Sequence, residues 1–254
     1  MPAQESNKAK IAKRVIEVLD FFDDSHPTAT VMDIVRRYDR PQSSTSELLS
    51  TLVELGILYK DNASRSYSLT PRAAILGTTA QPHFMRDGRL NAMIDRLSEQ
   101  THMAVGVFGM VGTMAQVFGW RCGEPPLKSA NAKGMGNGTQ DYLTDSGVGH
   151  LLMSTLAPQR REGLIRRLNA EAPDHRKFNF AEMNQRVTDA EMAGHVVSTM
   201  GFGTIADVAA ILIPGQSRQH PLALGIVYEP SERVETANLI ALLKDTVQIC
   251  LDRP

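Results

Sequence analysis

The chain is poor in the residues that staple, anchor or mark chemistry. Its 254 residues hold two cysteines, Cys122 and Cys250, too few for a disulfide framework and at no metal-ligand spacing. The seven histidines are scattered, with no two at a helical i, i+4 spacing, so a local metal motif is absent and no metal or cofactor is expected. No run of 18 apolar residues occurs and no apolar stretch of signal-peptide type opens the chain, which leads us to expect a soluble, cytoplasmic protein with no membrane partner. An excess of charge of one sign is also missing. The 27 Lys and Arg stand against 28 Asp and Glu, a net charge of −1, and residues 1–80 hold ten of each sign, without the basic excess expected of a nucleic-acid footprint. No internal repeat is visible. With 42% hydrophobic and 22% charged residues, the chain is globular and long enough for two domains with proper cores.

What is present is concentrated near the start. Ile11, Val15, Val18, Leu19 and Phe22 recur on one helical face, predicting a first helix over 8–23. Asp24-Ser25-His26-Pro27 is turn-forming, and Thr28 or Thr30 can cap a second helix that buries Val31, Ile34, Val35 and Tyr38. Pro41 suits the first position of a third helix, where its missing N–H would be unpaired anyway, and Leu48, Leu49, Leu52 and Leu55 form that helix's inner stripe until Gly56 stops it. Two β-like runs, 57–60 and 66–69, flank a polar segment with Arg65 at its tip. Three helices and a hairpin in about 65 residues make a winged helix-turn-helix, in which the third helix enters the major groove.

That helix opens on small polar side chains able to approach base edges and phosphates. Gln42 is the candidate for a base-edge contact, because an amide pairs bidentately with adenine. Ser43, Ser44 and Thr45 are candidates for phosphates or bases, and Arg40 and Arg65 for phosphates. Arg36, Arg37 and Arg40 cluster before the helix while Glu17, Asp20, Asp23 and Asp24 lie on the first, so a basic stripe can exist without net charge.

Beyond a short helix opened by Thr70-Pro71 and a linker over 78–83, a second domain starts near Phe84. Its pattern is α+β: a helix around Leu90–Leu97, strands over 103–110 and 113–120, a polar glycine-rich loop over 121–140, helices over 146–156, 158–172 and 180–193, strands over 196–199, 208–213 and 223–228, and a closing helix over 233–251. A loop of that length is functional or disordered.

From Lys8 to Leu251 the chain resembles IclR-type bacterial transcription regulators. The resemblance rests on Ser44-Thr45 at the start of the third helix, Gly56-Ile57-Leu58, Tyr67-Ser68-Leu69-Thr70, Ser146-Gly147-Val148-Gly149, Gly194-His195-Val196-Val197, Ile205-Ala206-Asp207-Val208-Ala209-Ala210 and Tyr228-Glu229-Pro230-Ser231. It implies a winged helix-turn-helix over 8–70, a linker helix and linker over 71–83, and a GAF-like effector-binding domain over 84–254. It also implies a homodimer or homotetramer on a pseudo-palindromic double-stranded DNA operator. The chain departs from the family's pattern at His150, where a lysine is usual, and at Ile211, where a proline is usual.

Carried over position by position, the resemblance puts the effector against Asp145, Ser146, Gly147 and Val148 at a helix start, Ile205 and Asp207 near one strand, and Ile226 and Tyr228 on the last. Free N–H groups at the helix start suit a carboxylate, whereas Asp207 calls for a hydrogen-bond donor, so a small hydroxylated aromatic acid satisfies both. A rival reading is an enzyme that uses the winged helix for dimerisation, such as a small-molecule O-methyltransferase, with Gly134-Met135-Gly136-Asn137-Gly138 as its cofactor loop. Context opposes it. The residues before those glycines are Lys128-Ser129-Ala130-Asn131-Ala132-Lys133, where a cofactor loop needs a buried apolar strand, and no Gly-x-Ser-x-Gly elbow marks a hydrolase.

Overall fold

The computed structural model describes residues 7–23, 26–76, 83–128, 135–216, 220–230 and 234–252. Contacts divide the chain into two units between Arg86 and Asp87. Among the described residues no helix is long and apolar enough to cross a membrane.

The first unit runs α1 (Asn7–Phe21), α2 (Val31–Tyr38), α3 (Gln42–Glu54), β1 (Leu58–Asp61), β2 (Ser66–Leu69), α4 (Pro71–Ile75) and α5 (His83–Arg86). Of the two threonines offered as caps for α2, Thr30 serves. Its hydroxyl takes the Asp33 N–H at 3.4 Å while the Asp33 carboxylate takes the Thr30 N–H at 2.8 Å and its hydroxyl at 2.7 Å, a reciprocal capping box. Asp39, in the left-handed conformation, ends α2, and Pro41 stands just outside α3 as its N-cap. Leu49 and Leu52 of α3 are buried with Val18, Ala29, Ile34, Ile57, Leu58 and Tyr67. The expected leucine stripe is thus narrower than the sequence suggests, for Leu48 is only partly buried and Leu55 is 53% exposed.

Gly56 ends α3 as expected, with the Ile57 N–H reaching back to the Leu52 carbonyl at 2.9 Å, a Schellman-type closure. The Thr70 hydroxyl and the Arg72 guanidinium then donate to the carbonyls of Gly56 and Leu55 at 2.6 and 2.8 Å. The wing pairs Leu58 with Leu69 and Asp61 with Ser66. Ala29 and Tyr67 exchange backbone hydrogen bonds of 2.9 and 2.7 Å beside it. The linker expected over 78–83 lies, apart from His83, outside the described residues.

The second unit contains α6 (Arg89–Thr101), β3 (Ala104–Val111), β4 (Met114–Arg121), β5 (Gln140–Tyr142), α7 (Gly147–Met153), α8 (Pro158–Glu171), α9 (Phe180–Ala193), β6 (His195–Thr199), β7 (Asp207–Leu212), β8 (Leu222–Tyr228) and α10 (Thr236–Leu251). The strands form one antiparallel sheet in the order β5-β4-β3-β8-β7-β6. The α+β class and the five expected strands are as the sequence indicates; β5 is an addition. The glycine-rich loop, outside its undescribed centre at 129–134, is tied to the sheet, since Gly138 donates to Val117 and Val117 to Thr139 at 2.8 and 2.9 Å.

Both faces of the sheet are covered. Phe108, Ala115, Val117, Val208, Ala210, Ala223 and Val227 share a core with Val148, Leu151 and Leu152 of α7 and with residues of α8 and α9. The alternate residues look toward α6 and α10, which pack on β3, β7 and β8. A Cβ on Gly119 would meet Val107 at 3.6 Å and Ile94 of α6 at 3.9 Å, and Val107 pairs with Leu224.

Two expectations follow. The Asp33 carboxyl is held below the ordinary carboxylate range, first by the Thr30 N–H and then by its hydroxyl. Asp33→Ala is expected to cost the first unit about 0.3–1.5 kcal/mol at neutral pH, measured by urea unfolding. Because the folded form prefers the ionised acid, this stabilisation is complete above the unfolded value of about 3.9 and is lost as pH falls through the lower folded value, so variant and parent should converge in acid. In the second unit, a Cβ on Gly149 would lie 2.1 Å from the Leu143 carbonyl oxygen and 2.7 Å from its carbon. Gly149→Ala should therefore destabilise that unit by roughly 1–3 kcal/mol through overpacking, seen as a lower thermal midpoint.

Candidate functional site

In the first unit the site is the face of α3 turned away from its core. Burial of Thr45, Leu49 and Leu52 fixes the helix's rotation, and at 100° per residue the opposite stripe is Ser43, Glu47, Ser50 and Glu54. All four are exposed. Gln42 is exposed in the first turn, and Ser44, half-buried, donates to the Pro41 carbonyl at 3.2 Å. Arg65 is exposed at the wing turn in the left-handed conformation. The turn is braced by Asp61, whose carboxylate takes the Ser64 hydroxyl at 2.6 Å and the Ala63 N–H at 2.9 Å. The Ser64 hydroxyl first, and then the Ala63 N–H, holds that carboxyl below its ordinary range.

Two expected DNA contacts are corrected. Thr45 is 4% exposed and its hydroxyl donates to the Pro41 carbonyl at 2.9 Å, so it faces the core and satisfies itself within the helix. Arg40 forks onto Glu17 of α1, with Nη2 2.8 and 3.1 Å from the two carboxylate oxygens and Nε 3.3 Å from one of them. Its charge is spent holding the helix-turn-helix turn to α1. Of the basic cluster before α3, Arg36 and Arg37 stand exposed at the end of α2. Glu47 and Ser50, which the sequence reading passed over, lie squarely on the outward stripe; a helical wheel centred on the buried leucines would have found them.

In the second unit the eight expected effector residues do not converge. Val148 is buried on the α7 side of the sheet, and a Cβ on Gly147 would lie 2.0 Å from the Ser198 hydroxyl, which places Ser198 on that side too. Ser198 pairs with Val208 and Val208 with Val227, whereas Thr199 pairs with Asp207 and Asp207 with Tyr228. Alternation along the strands therefore sends Asp207, Tyr228 and Ile226 to the opposite side, that of α6 and α10. The sheet stands between the two groups. Ile205, 72% exposed, lies in the turn before β7.

The helix start itself is already filled. The Ser146 hydroxyl accepts the Gly149 N–H at 3.1 Å, and at Gly201 a Cβ would lie 3.1 Å from the Ser146 Cβ and 2.7 Å from an Asp141 carboxylate oxygen. Gly147 and Gly149 thus allow close packing against Ser198 and Leu143, and the Gly149 N–H is taken by Ser146. Asp145 is engaged as well, bound by the Arg176 guanidinium and by the Thr144 hydroxyl at 2.9 Å, while Arg176 stacks 4.1 Å over the Tyr142 ring.

Asp141, unremarked in the sequence, accepts the Phe202 N–H at 2.7 Å and so fixes the 200–206 turn against the helix start. His150 lies with Nε2 3.1 Å from the Thr144 carbonyl oxygen, and burial, the largest cause, lowers its pKa. Burial first, then the charge of Asp207, pushes the Tyr228 phenol upward. Among the described residues no group of three or more His, Cys, Asp or Glu could hold a metal ion.

Residues 12–62 match the family model of the IclR helix-turn-helix domain. No curated protein matches the chain. Solved structures do match over almost its full length. An IclR homolog from Microbacterium hydrocarbonoxydans, complexed with 4-hydroxybenzoate, is 17% identical, with a TM-score of 0.60 over 94% of this chain and 97% of that one. The Thermotoga maritima IclR is 13% identical, with a TM-score of 0.56 over 95% of each chain. An IclR-family transcriptional regulator from Brucella abortus is 19% identical, with a TM-score of 0.52 over 100% of this chain and 98% of that one. At these identities the likeness is one of fold, and it joins the helix-turn-helix match in one direction. Residues 12–62 thus carry the IclR helix-turn-helix domain, and the chain as a whole shares the fold of these IclR structures.

Proposed function

We propose that this chain is a sequence-specific DNA-binding transcriptional regulator whose operator affinity is set by a small-molecule effector held in its second unit. The observation that carries the DNA reading is the outward face of α3, where polar side chains stand exposed while the leucines anchor the helix. Gln42 and Ser43 read base edges, with Ser44 beside them, and Arg65, Arg36 and Arg37 meet phosphates. A second copy covers the exposed apolar residues of this unit, Ile11 and Ile16 on α1 and Tyr59, Ile75 and Leu76 beyond it. Such a dimer sets two α3 helices into successive major grooves of a pseudo-palindromic site.

The effector proposed is a small hydroxylated aromatic acid. The relative crystallised with 4-hydroxybenzoate supports the class. The site draws on the α7 side of the sheet, at Asp145, Ser146, Gly147 and Val148, and not on Asp207, Ile226 or Tyr228. Because the helix start is packed against Ser198 and Gly201, entry requires the 200–206 turn to withdraw. An effector shifts operator affinity only by the difference in its binding to the two states, typically about 1–3 kcal/mol.

On its own upstream DNA, followed by fluorescence anisotropy at two salt concentrations, the protein should bind more tightly than to a scrambled duplex and with a steep salt slope. Equal weak binding to both would overturn the reading. Gln42→Ala should weaken specific binding by roughly 1–3 kcal/mol with little change on random DNA, whereas Arg65→Ala should weaken binding to both duplexes and reduce the salt slope by about one. Titrating 4-hydroxybenzoate into the protein–DNA complex should change its affinity. Tyr228→Phe should leave that response intact and Ser146→Ala should alter it; the reverse pattern would place the effector on the other side of the sheet.

A further inference from the structure

The α3 helix carries no lysine or arginine at all, yet it carries two glutamates, Glu47 and Glu54, both on its outward stripe. Glu54 ends the helix, seven residues and so about 10 Å along the axis from Glu47. Glu47 lies in the second turn, one turn beyond Ser43, at the centre of the proposed reading surface. Its side chain is exposed, and among the described residues its carboxylate has neither an ion pair nor a hydrogen bond; only its backbone carbonyl is engaged, by the Thr51 hydroxyl at 3.0 Å. Lysine and arginine contact phosphates on any duplex, whereas a carboxylate at this position is repelled by them. An unneutralised acid in the middle of a groove-facing stripe therefore weakens binding everywhere except where a base edge offers it a hydrogen-bond donor.

The major-groove edges decide which base that is. Guanine presents two acceptors and thymine an acceptor with a methyl group; adenine presents a donor next to an acceptor that repels a carboxylate. Cytosine presents its N4 amine as a donor alone. We propose that Glu47 is a specificity-determining residue that accepts from the N4 amine of a cytosine in each operator half-site and rejects other bases there. The proposal rests on the DNA reading given above and adds to it a base and a sign. Gln42 and Ser43 supply attraction, while Glu47 supplies discrimination, chiefly by penalising wrong sequences.

The test is selection of binding sites from a randomised duplex pool with the full-length protein, its Glu47→Ala variant and its Glu47→Gln variant, each first checked for an unchanged thermal midpoint. The parent should enrich a symmetric site with cytosine at one position of each half. Glu47→Ala should lose the preference at that position only, by about tenfold, and should bind random DNA more tightly than the parent. Glu47→Gln should move the preference from cytosine toward adenine, whose donor–acceptor pair suits an amide. A parent site whose base preferences survive both substitutions would overturn the role of Glu47 while leaving the DNA reading intact. A parent protein that enriches no site would defeat the DNA reading, and Glu47 with it.

Discussion

Burial of Leu49 and Leu52 against Val18, Ile34, Leu58 and Tyr67 is the contact on which the first unit turns. A helix anchored along one narrow stripe has no freedom to rotate about its axis, so the same leucines that hold α3 in place also select the residues it shows to its surroundings. Thr45 goes inward and its neighbours Ser43 and Glu47 go outward for one geometric reason. The Arg40–Glu17 pair adds a second fixed point, joining the turn between α2 and α3 to the first helix. It pairs off a cation that composition alone would assign to a phosphate.

In the second unit the governing constraint is a sheet covered on both sides. Its central strands, β3, β8 and β7, are apolar on consecutive residues because each has helices on either face. The consequence for a binding site is severe, since residues two apart share a side and residues one apart do not. Ser146 and Tyr228 belong to different compartments of one domain even though both are buried. Glycines at 147 and 149 let α7 close on Ser198 of β6 and on the Leu143 backbone, and Gly201 brings the turn before β7 against Ser146, so the space at the helix start is taken up by the chain itself.

Much of this was legible in the sequence, and the rest was hidden for identifiable reasons. The three helices and the wing announce themselves through periodicity, and so do the long strands and α9, while the cap of α2 is narrowed to two threonines, of which the structure uses Thr30. Arg40 misled because its partner lies 23 residues away, beyond any local pattern. Thr45 misled because a hydroxyl reads as polar in sequence, although in a helix it can satisfy itself on the carbonyl four residues back and be buried at little cost. The effector positions misled most. An alternating strand would have announced which side each residue takes, but strands buried on both sides carry no alternation, and 207, 226 and 228 gave no sign of facing away from α7. At three residues, β5 is too short to leave a pattern.

The clamp at the end of α3 has a mechanical meaning of its own. Thr70 and Arg72, at the exit of the wing, donate to the last carbonyls of the α3 segment, and Ile57 closes onto Leu52. These bonds tie the end of α3 to the exit of the wing like the hinge of a clamp. On the DNA reading proposed above, a clamp of fixed opening makes the width of a groove, and with it the stiffness of the duplex, part of what is recognised.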